Sequence, residues 1–514
     1  MDEVNQALHK IARGTGIIFM GTIISMTLGF ASRTLLARFF STSQYGVFNL
    51  ALTIFSINLT VATLGLPAAL PREIGFYRKK DPSKMESIIS TSLVIVTISS
   101  TLGALILALA SGDIAGVFQE PRLNSSLRIL ALALPFSALT GVLIAISQGF
   151  GRVREKVYFQ NIIYPLLWLT LVELLVGFSF PFEWVFYAYI TAQILRFLTM
   201  MIDINRLKLI RIQPRFNIQI GKQLILFSIP LFMSGILSFI MNWTDTLMLG
   251  YYKNSEVVGI YNAATPLARL IPVFLNSAAF LYSPIAAQLY AQRKIGEIKR
   301  LYQVLTKWIF MLTLPIFSVM FLFPEATINF LFSSKYAQAA PALQILSFGF
   351  MFHTILGLNG TSIIVMGKTR FFMIANFISA GLNIILNTLL IPQYGANGAA
   401  LATAVSYLTV NILNSTKLYK ITKIHPFYRN YNKVMFTCIT TLILFRIMIR
   451  FHSKNLNLLW LGFIEGLLIL IWIILVIINK SIDKEDIELI LAIERSTGIR
   501  LDKIREILKK LTRL

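Results

Sequence analysis

Five charged side chains lie inside long apolar stretches of the sequence, and they are the residues best placed to do chemistry: Arg33, Glu173, Arg196, Asp245 and Arg269. A charge inside a bilayer is costly, so such a residue usually faces a cavity, a partner charge or a substrate. Three of the five are arginines, whose planar guanidinium matches the geometry of phosphate oxygens. The set therefore predicts a polar, net-basic site within a membrane protein.

Two of these charges hold nearly equivalent places in the two halves of the chain. Arg33 and Asp245 lie about one residue from the spacing of an internal repeat described below, and we predict that they approach each other in one state of the protein. Glu173 is a second candidate for coupling or ion pairing. Structural ion pairs, Arg33 with Asp245 and Arg196 with Glu173, are the alternative, and the two roles are compatible.

Prolines interrupt the apolar stretches close to these charges. Such breaks provide hinges and free backbone groups that can face a cavity. The predicted hinges are Pro67, Pro71, Pro266, Pro272 and Pro284. Arg269 stands between two of them, which predicts that its guanidinium faces a polar cavity at a broken helix.

The composition places these residues in a membrane protein. The chain has 514 residues, of which 56% are hydrophobic and 14% charged, whereas soluble globular domains carry about 25% charged residues. The single cysteine, Cys438, excludes a disulfide framework. The four histidines show no metal-ligand spacing, and the predicted outer loops offer only isolated acids such as Glu120. We therefore expect no enzyme activity, no cofactor and no metal site.

Fourteen apolar segments are long enough to span a bilayer, which takes about 20 residues. With the N-terminus inside, 35 of the 47 Lys and Arg residues fall in cytoplasmic segments and four in outer loops. This asymmetry predicts a multi-pass protein of the cell membrane with both termini in the cytoplasm. It also accounts for the net charge of +24 without nucleic-acid binding.

An internal repeat divides the predicted spans into two sets of six. Tyr45-Gly46-Val47-Phe48-Asn49-Leu50-Ala51 is matched about 213 residues later by Val258-Gly259-Ile260-Tyr261-Asn262-Ala263-Ala264. Further along, Gly151-Arg152 is matched by Gly367-Lys368. Because six is even, the two halves should share one topology and be related by an axis along the membrane normal. The fold predicted is all-α, with two six-helix bundles and two further helices.

The domain boundaries follow from this division. We predict a cytoplasmic N-terminus at 1–14, a first six-helix bundle at 15–215 and a second at 216–425. Transmembrane helices 13 and 14 occupy 426–480, and a charged amphipathic tail occupies 481–514 on the cytoplasmic side. A midplane cleft between two six-helix bundles is typical of transporters.

Several motifs resemble the polysaccharide-exporter branch of the MOP (multidrug, oligosaccharidyl-lipid and polysaccharide) superfamily. The resemblance covers roughly residues 10–430. Its motifs occur in the family's order and are the following: Arg33-Thr34-Leu35-Leu36-Ala37-Arg38-Phe39-Phe40-Ser41, Tyr45-Gly46-Val47-Phe48, Leu64-Gly65-Leu66-Pro67, Asp245-Thr246-Leu247-Met248-Leu249-Gly250, Ala342-Leu343-Gln344-Ile345-Leu346-Ser347 and Leu390-Ile391-Pro392-Gln393-Tyr394-Gly395. The charged tail is more similar to archaeal members.

The resemblance implies a flippase. Such a protein moves a polyprenyl-(pyro)phosphate-linked oligosaccharide from the cytoplasmic to the outer leaflet by alternating access, for cell-surface polysaccharide or glycoprotein assembly. The headgroup would bind to Arg33, Arg196 and Arg269 while the polyprenyl tail stays in the membrane lipids. H⁺ or Na⁺ is open as the coupling ion, and glycan-assembly enzymes are expected contacts.

Two alternatives remain open at this point. A multidrug and toxin extrusion (MATE) antiporter has the same fold, but it should line its cleft with acids and typically has twelve spans. A scaffold of a glycan-synthesis complex, with no transport of its own, is an alternative of another class. Transport by the purified protein in liposomes would separate the three.

Overall fold

The computed structural model describes residues 3–152, 154–206, 216–452, 466–472, 474–475 and 478, and its regular elements there are all helices. Seven helices in this part of the chain are long and apolar enough to cross a membrane, or ten if each of three bent helix pairs forms one span. The chain is thus an all-helical, multi-span membrane protein. The predicted tail at 481–514 and part of the last predicted span lie outside the described residues.

Residues 14–262 form one of two compact units. Its helices are α1 (Glu3–Phe39, which begins before the unit), α2 (Thr42–Thr63), α3 (Leu66–Lys80), α4 (Pro82–Val117), α5 (Arg122–Ala131), α6 (Leu134–Gly149), α7 (Tyr164–Gly177), α8 (Trp184–Arg206), α9 (Ile218–Tyr252) and the start of α10 (Ser255–Ala268). A π-helix at Lys156–Ile163 leads into α7. The core is apolar, with Leu70, Ile74 and Val142 fully buried.

The second compact unit contains the described residues from 263 onward together with those before 14. Its described helices after α10 are α11 (Val273–Ala291), α12 (Ile295–Leu322), α13 (Pro324–Leu331), α14 (Ala340–Ile355), α15 (Asn359–Val365), α16 (Thr369–Thr422) and α17 (Arg429–His452), with a 3₁₀ turn at Ser334–Ala339. The unit boundary at 262 lies later than the predicted bundle boundary at 215, because α9 packs with the earlier helices. The predicted bundles at 15–215 and 216–425 stay predictions.

The outward surface of α4 shows how the helices meet lipid. Leu105, Ile106 and Leu109 are 55, 63 and 73% exposed, although all three are large and apolar. A soluble protein rarely exposes a contiguous apolar patch of that kind. Contact with the hydrocarbon of a bilayer removes the free-energy cost of exposing this apolar patch to water, as expected for a spanning helix.

A helix break lies slightly before the first two predicted hinge prolines, whose hinge role stays a prediction. Leu64 and Gly65 adopt left-handed backbone conformations, with φ of 51° and 73°, and they separate α2 from α3. Pro67 stands in the first turn of α3, where a missing N–H is harmless, and Pro71 lies inside the continuing helix. Gly65 is required for a second reason, since a Cβ there would lie 2.9 Å from the Ser228 carbonyl oxygen of α9.

The second predicted hinge coincides with a true break. Helices α10 and α11 are bent by 49° across the four residues 269–272, and Arg269 begins that break. Pro266 lies near the end of α10 and Pro272 precedes α11. Pro284 lies inside α11. The expectation that Arg269 stands at a broken helix is confirmed, whereas the hinge role of these prolines stays a prediction.

The continuous run α16 is a helical hairpin. Gly395 has φ 54° and ψ −127°, a conformation that glycine tolerates and other residues rarely adopt. Ser379 Oγ donates to the carbonyl oxygen of Ser406 at 2.7 Å, 27 residues along the chain, so the two arms run side by side. Gly398 lets the arms close, because a Cβ there would lie 2.3 Å from the Leu390 carbonyl oxygen.

Candidate functional site

Arg196 carries a guanidinium charge without an acidic partner among the described residues. It lies half-buried on α8, and its Nη1 donates to Gln193 Oε1 at a long 3.4 Å. Its guanidinium carbon lies 5.3 Å from the centre of the Tyr164 ring, a cation–π distance. Its Nε is buried and has no hydrogen-bond partner. An unsatisfied buried donor is costly, so this guanidinium is poised to bind an anion.

Arg33 brings a second positive charge to the same tyrosine. It is half-buried on α1 and lies within electrostatic reach of Tyr45 and Tyr164. Tyr164 therefore lies in contact with Arg196 and within electrostatic reach of Arg33. Neither arginine forms an ion pair within the part of the chain that the structure describes. We call Arg33, Arg196 and Tyr164 the arginine pair site.

Aromatic rings surround the arginine pair site, a feature that the sequence analysis missed. The Trp168 ring stacks on Phe48 at 5.8 Å and meets Tyr189 edge-on at 5.7 Å. Tyr164 and Tyr189 also meet edge-on, at 6.4 Å. The sequence does contain a signal for these rings, because Tyr164 and Trp168 are spaced by about one helical turn and therefore lie on the same face of a helix.

Asp245 is buried on α9 and bonds to a tyrosine rather than to Arg33. The Tyr261 hydroxyl donates to its Oδ2 at 2.5 Å, and one residue further along each helix Asn262 Nδ2 donates to Thr246 Oγ1 at 3.2 Å. Arg33 makes no ion pair with Asp245 in this conformation. Their approach in another access state stays a prediction.

Glu173 stands apart from the other predicted charges. It is exposed on α7, and the structure does not bring its carboxylate to Arg196. The alternative of a structural ion pair between these two residues is therefore not realised in this conformation.

Arg269 belongs to the second unit. It is half-buried in the break between α10 and α11, and its backbone N–H still bonds the Thr265 carbonyl oxygen at 3.1 Å. Arg269 thus stands in the break between two helices, and the prediction that its guanidinium faces a polar cavity stays a prediction.

The repeat glycines meet at the crossing of α2 and α10. A Cβ on Gly46 would lie 1.6 Å from the Ser255 carbonyl oxygen, and one on Gly259 would lie 2.0 Å from that of Thr42. The helix starts are equivalent too, because Ser41 caps α2 through the Gln44 N–H and Asn254 bonds the Val257 N–H. The two matched motifs are therefore in direct backbone contact, which only glycine permits.

A cluster of hydrogen-bonded polar side chains stabilises this crossing of α2 and α10. The sequence did not predict this cluster. Ser43 Oγ and Ser255 Oγ lie 2.8 Å apart. Arg122 Nη2 donates to Ser43 Oγ at 2.5 Å and to Ser255 Oγ at 3.4 Å, while two of its nitrogens bond the Glu120 carboxylate at 2.8 Å each. Glu120, predicted to stand apart from other acids, has an arginine as its partner here. We call Ser43, Glu120, Arg122 and Ser255 the crossing cluster.

The charge of Glu120 is stabilised within this cluster. Partial burial acts to raise the pKa of the carboxyl, but hydrogen bonds from Arg122 and Ser255 and the Arg122 charge act more strongly in sum, so the pKa of Glu120 is lowered. The carboxylate is therefore ionised at neutral pH and holds the Arg122 fork in place.

Comparison with known families decides the class of the protein. The family model described as "Polysaccharide biosynthesis protein" matches residues 11–289, more than half of the chain. The chain belongs to this family. A second model, described as MatE, matches residues 230–389.

Two archaeal relatives of this family member match most of the chain. The "Probable low-salt glycan biosynthesis flippase Agl15" of Haloferax volcanii is 23% identical over 468 residues, covering 89% of this chain and 94% of the relative. The "Uncharacterized membrane protein MJ1068" of Methanocaldococcus jannaschii is 26% identical over 435 residues, covering 80% and 85%. The predicted resemblance to the polysaccharide-exporter branch is confirmed.

A solved structure shows the fold. The lipid II flippase MurJ, in an inward closed conformation, superposes with a TM-score of 0.70 at 17% identity, covering 89% of this chain and 98% of that one. The chain is thus a MOP-superfamily membrane transporter and not an enzyme. The prediction that it has no enzyme activity is confirmed by its family.

Proposed function

We propose that this transporter flips a polyprenyl-(pyro)phosphate-linked oligosaccharide from the cytoplasmic to the outer leaflet by alternating access, for assembly of cell-surface polysaccharide or glycoprotein. The observation that carries the proposal is the arginine pair site. The Arg196 guanidinium lies over the Tyr164 ring there, the Arg33 charge is within electrostatic reach of the same tyrosine, and neither arginine forms an ion pair with a described carboxylate. The relative from Haloferax volcanii, called a probable glycan biosynthesis flippase, supports the same substrate class.

The arginine pair site suits a phosphate better than a structural role. Arg keeps its charge even when buried, so an unpaired guanidinium cannot lower its cost by losing a proton. The Arg196 Nε lacks a hydrogen-bond acceptor, and a phosphate oxygen would supply one. Arg269, in the break of the second unit, is the third proposed headgroup residue.

The proposed architecture keeps fourteen spans, in two six-helix bundles related by an axis along the membrane normal with two further helices. The equivalent ends of α6 and α15 support the duplication. Gly151 and Gly367 both have φ 72°, and the N–H groups of Arg152 and Lys368 bond carbonyl oxygens at matching repeat positions, Ser147 and Ile363. We also propose that both termini face the cytoplasm at the cell membrane, from the Lys and Arg asymmetry.

A coupling ion, H⁺ or Na⁺, is proposed to drive transport, with Asp245 and Glu173 as acids that respond to it. Asp245 is the stronger candidate, because it is buried and hydrogen-bonded to Tyr261. Reversal of charge, Arg33→Asp with Asp245→Arg, tests whether the two side chains meet in another access state. Glycan-assembly enzymes remain proposed contacts.

A MATE-type cation antiporter is the second candidate, favoured by the MatE match over residues 230–389. It would need acids facing its substrate. The arginine pair site instead carries two positive charges, Arg33 and Arg196, which would repel a cationic drug. A scaffold without transport would give no use to these buried charges.

Loss of the protein is expected to make the lipid-linked oligosaccharide accumulate, because the headgroup would not leave the cytoplasmic leaflet. Mass spectrometry of polyprenyl-linked glycans from cells that lack the protein, with and without a wild-type copy, measures this. A several-fold rise that the wild-type copy reverses supports the flippase. Unchanged glycan lipids, with greater sensitivity to cationic drugs, would instead support the antiporter.

A further inference from the structure

An apolar groove lies between α4 and α9 on the surface of the unit formed by residues 14–262. Its volume is about 370 Å³, within the range of about 300–1,000 Å³ that small-molecule sites occupy. Both helices are apolar at this level, so hydrocarbon matches the groove better than water does. We call it the α4–α9 groove, and its lining includes Ile95, Phe216, Gly221, Lys222, Ile225 and Leu226.

Gly221 keeps this groove open, although glycine is one of the poorest helix formers. Its backbone does not adopt the left-handed conformation that favours glycine. A Cβ there would lie 3.5 Å from the nearest atoms of Ile95 and Thr91 and 3.6 Å from Phe216, which are ordinary contact distances. Neither the backbone nor the neighbouring side chains therefore require a glycine. The missing side chain leaves space between the two helices that a ligand can occupy.

Lys222 brings a single positive charge to the α4–α9 groove. It is exposed, and it forms no ion pair with an acid in the part of the chain that the structure describes. It is the only charged residue of α9 before Asp245, and α4 carries no charge between Glu86 and Asp113. A lysine can lay its methylene groups along apolar surface and keep its ammonium in the headgroup region. An apolar groove with one cation matches the hydrocarbon chain and the phosphate of a phospholipid.

We propose that the α4–α9 groove binds one anionic phospholipid of the cytoplasmic leaflet, with a hydrocarbon chain between the helices and the phosphate at Lys222. The leaflet follows from the proposed topology, in which Lys222 is cytoplasmic. An anionic headgroup is favoured because a basic residue near the membrane surface attracts it, whereas the headgroup of a zwitterionic lipid carries a positive charge of its own. This lipid is a lasting ligand of the folded protein and not the transported substrate.

The bound lipid strengthens an existing contact between the two helices. The Asn217 N–H, at the start of α9, donates to Thr91 Oγ1 of α4 at 3.2 Å. A hydrocarbon chain against Ile95 and Ile225 adds apolar contact to both helices beside this hydrogen bond. A ligand that binds only the folded state raises its stability. Anionic phospholipid should therefore raise the Tm of the protein more than zwitterionic phospholipid does.

The first test follows the Tm of the purified protein in detergent as phosphatidylglycerol or phosphatidylcholine is added. We expect phosphatidylglycerol to raise the wild-type Tm by about 3 °C or more beyond the effect of phosphatidylcholine. Lys222→Gln, an exposed change, should lose at least half of that difference. Gly221→Leu fills the groove and should lose all of it. Gly112→Leu is the matched control, because Gly112 is exposed on α4 with no atom within 4 Å of an added Cβ, and it should behave as wild type.

The second test locates the lipid in vesicles with photoreactive phosphatidylglycerol and photoreactive phosphatidylcholine. In the wild type, cross-links to peptides that contain Ile95 or residues 218–226 should be about fivefold more abundant with phosphatidylglycerol, and Gly221→Leu should remove them. Equal labelling by the two lipids, or unchanged labelling of Gly221→Leu, would overturn the proposal. Competition by a polyprenyl diphosphate but not by unlabelled phosphatidylglycerol would assign the groove to the substrate tail and overturn it too. Neither test measures transport, so its failure leaves the proposed function standing.

Discussion

Oxidation of a Ser43→Cys/Ser255→Cys variant is expected to stop flipping, and reduction is expected to restore it. The two hydroxyl oxygens lie 2.8 Å apart, so two sulfurs there can close a bond of about 2.05 Å with small side-chain rotations. If the substrate leaves by separation of α2 and α10 at the glycine crossing, a covalent bond holds that exit closed. The chain has one native cysteine, so Cys438→Ala gives a clean background.

The controls for this lock are the two single-cysteine proteins, which cannot form the bond and should flip at the wild-type rate under oxidant. Non-reducing digestion and mass spectrometry measure the fraction of cross-linked molecules. Full cross-linking with unchanged flipping would show that the α2–α10 crossing stays closed throughout transport. In that case the crossing cluster is a structural joint rather than a gate.

Arg196→Gln is expected to lower flipping about ten- to hundredfold while leaving the amount of folded protein unchanged. Loss of a hydrogen bond to a charged group costs about 1.5–3 kcal/mol, and each 1.4 kcal/mol is about a factor of ten. Arg196→Lys should recover part of the rate, because a point ammonium keeps the charge but lacks the planar fork. Flipping per folded molecule in liposomes is the measurement.

Arg206→Gln is the matched control, since Arg206 ends the same helix and is exposed. Its flipping should stay near wild type. A merely structural Arg196 would give the opposite pattern, with less folded protein in the membrane and a normal rate for each folded molecule. That pattern would remove Arg196 from the headgroup site.

The features that could be predicted from the sequence are those that depend on the local pattern of residues. Apolar stretches predicted the membrane helices, and the break at Arg269 followed from flanking prolines that cannot continue a regular helix. The repeat predicted that the motifs around Gly46 and Gly259 are equivalent. It could not predict that these glycines touch, because contact between equivalent elements depends on how the helices cross.

The crossing cluster shows why part of the candidate site escaped sequence reasoning. Arg122 and Glu120 are two residues apart, yet their partners Ser43 and Ser255 are 79 and 133 residues from Arg122. Serine is common in loops and in spanning helices, so neither hydroxyl gives a signal of its own. Asp245 is similar, because its tyrosine partner belongs to the next helix. The charge of Asp245 suggested an arginine as its partner, whereas the fold brings the Tyr261 hydroxyl to it.

Leaflet transfer by the purified protein is the measurement that tests the central claim most directly. The protein is reconstituted in liposomes with a fluorescent polyprenyl-diphosphate oligosaccharide, and a membrane-impermeant quencher reports the fraction of label in the outer leaflet over time. The account predicts that wild type lets the quencher reach nearly all of the label, whereas protein-free liposomes leave about half protected. Protection that stays at about half with folded wild-type protein, together with efflux of a cationic dye from the same liposomes, would contradict it.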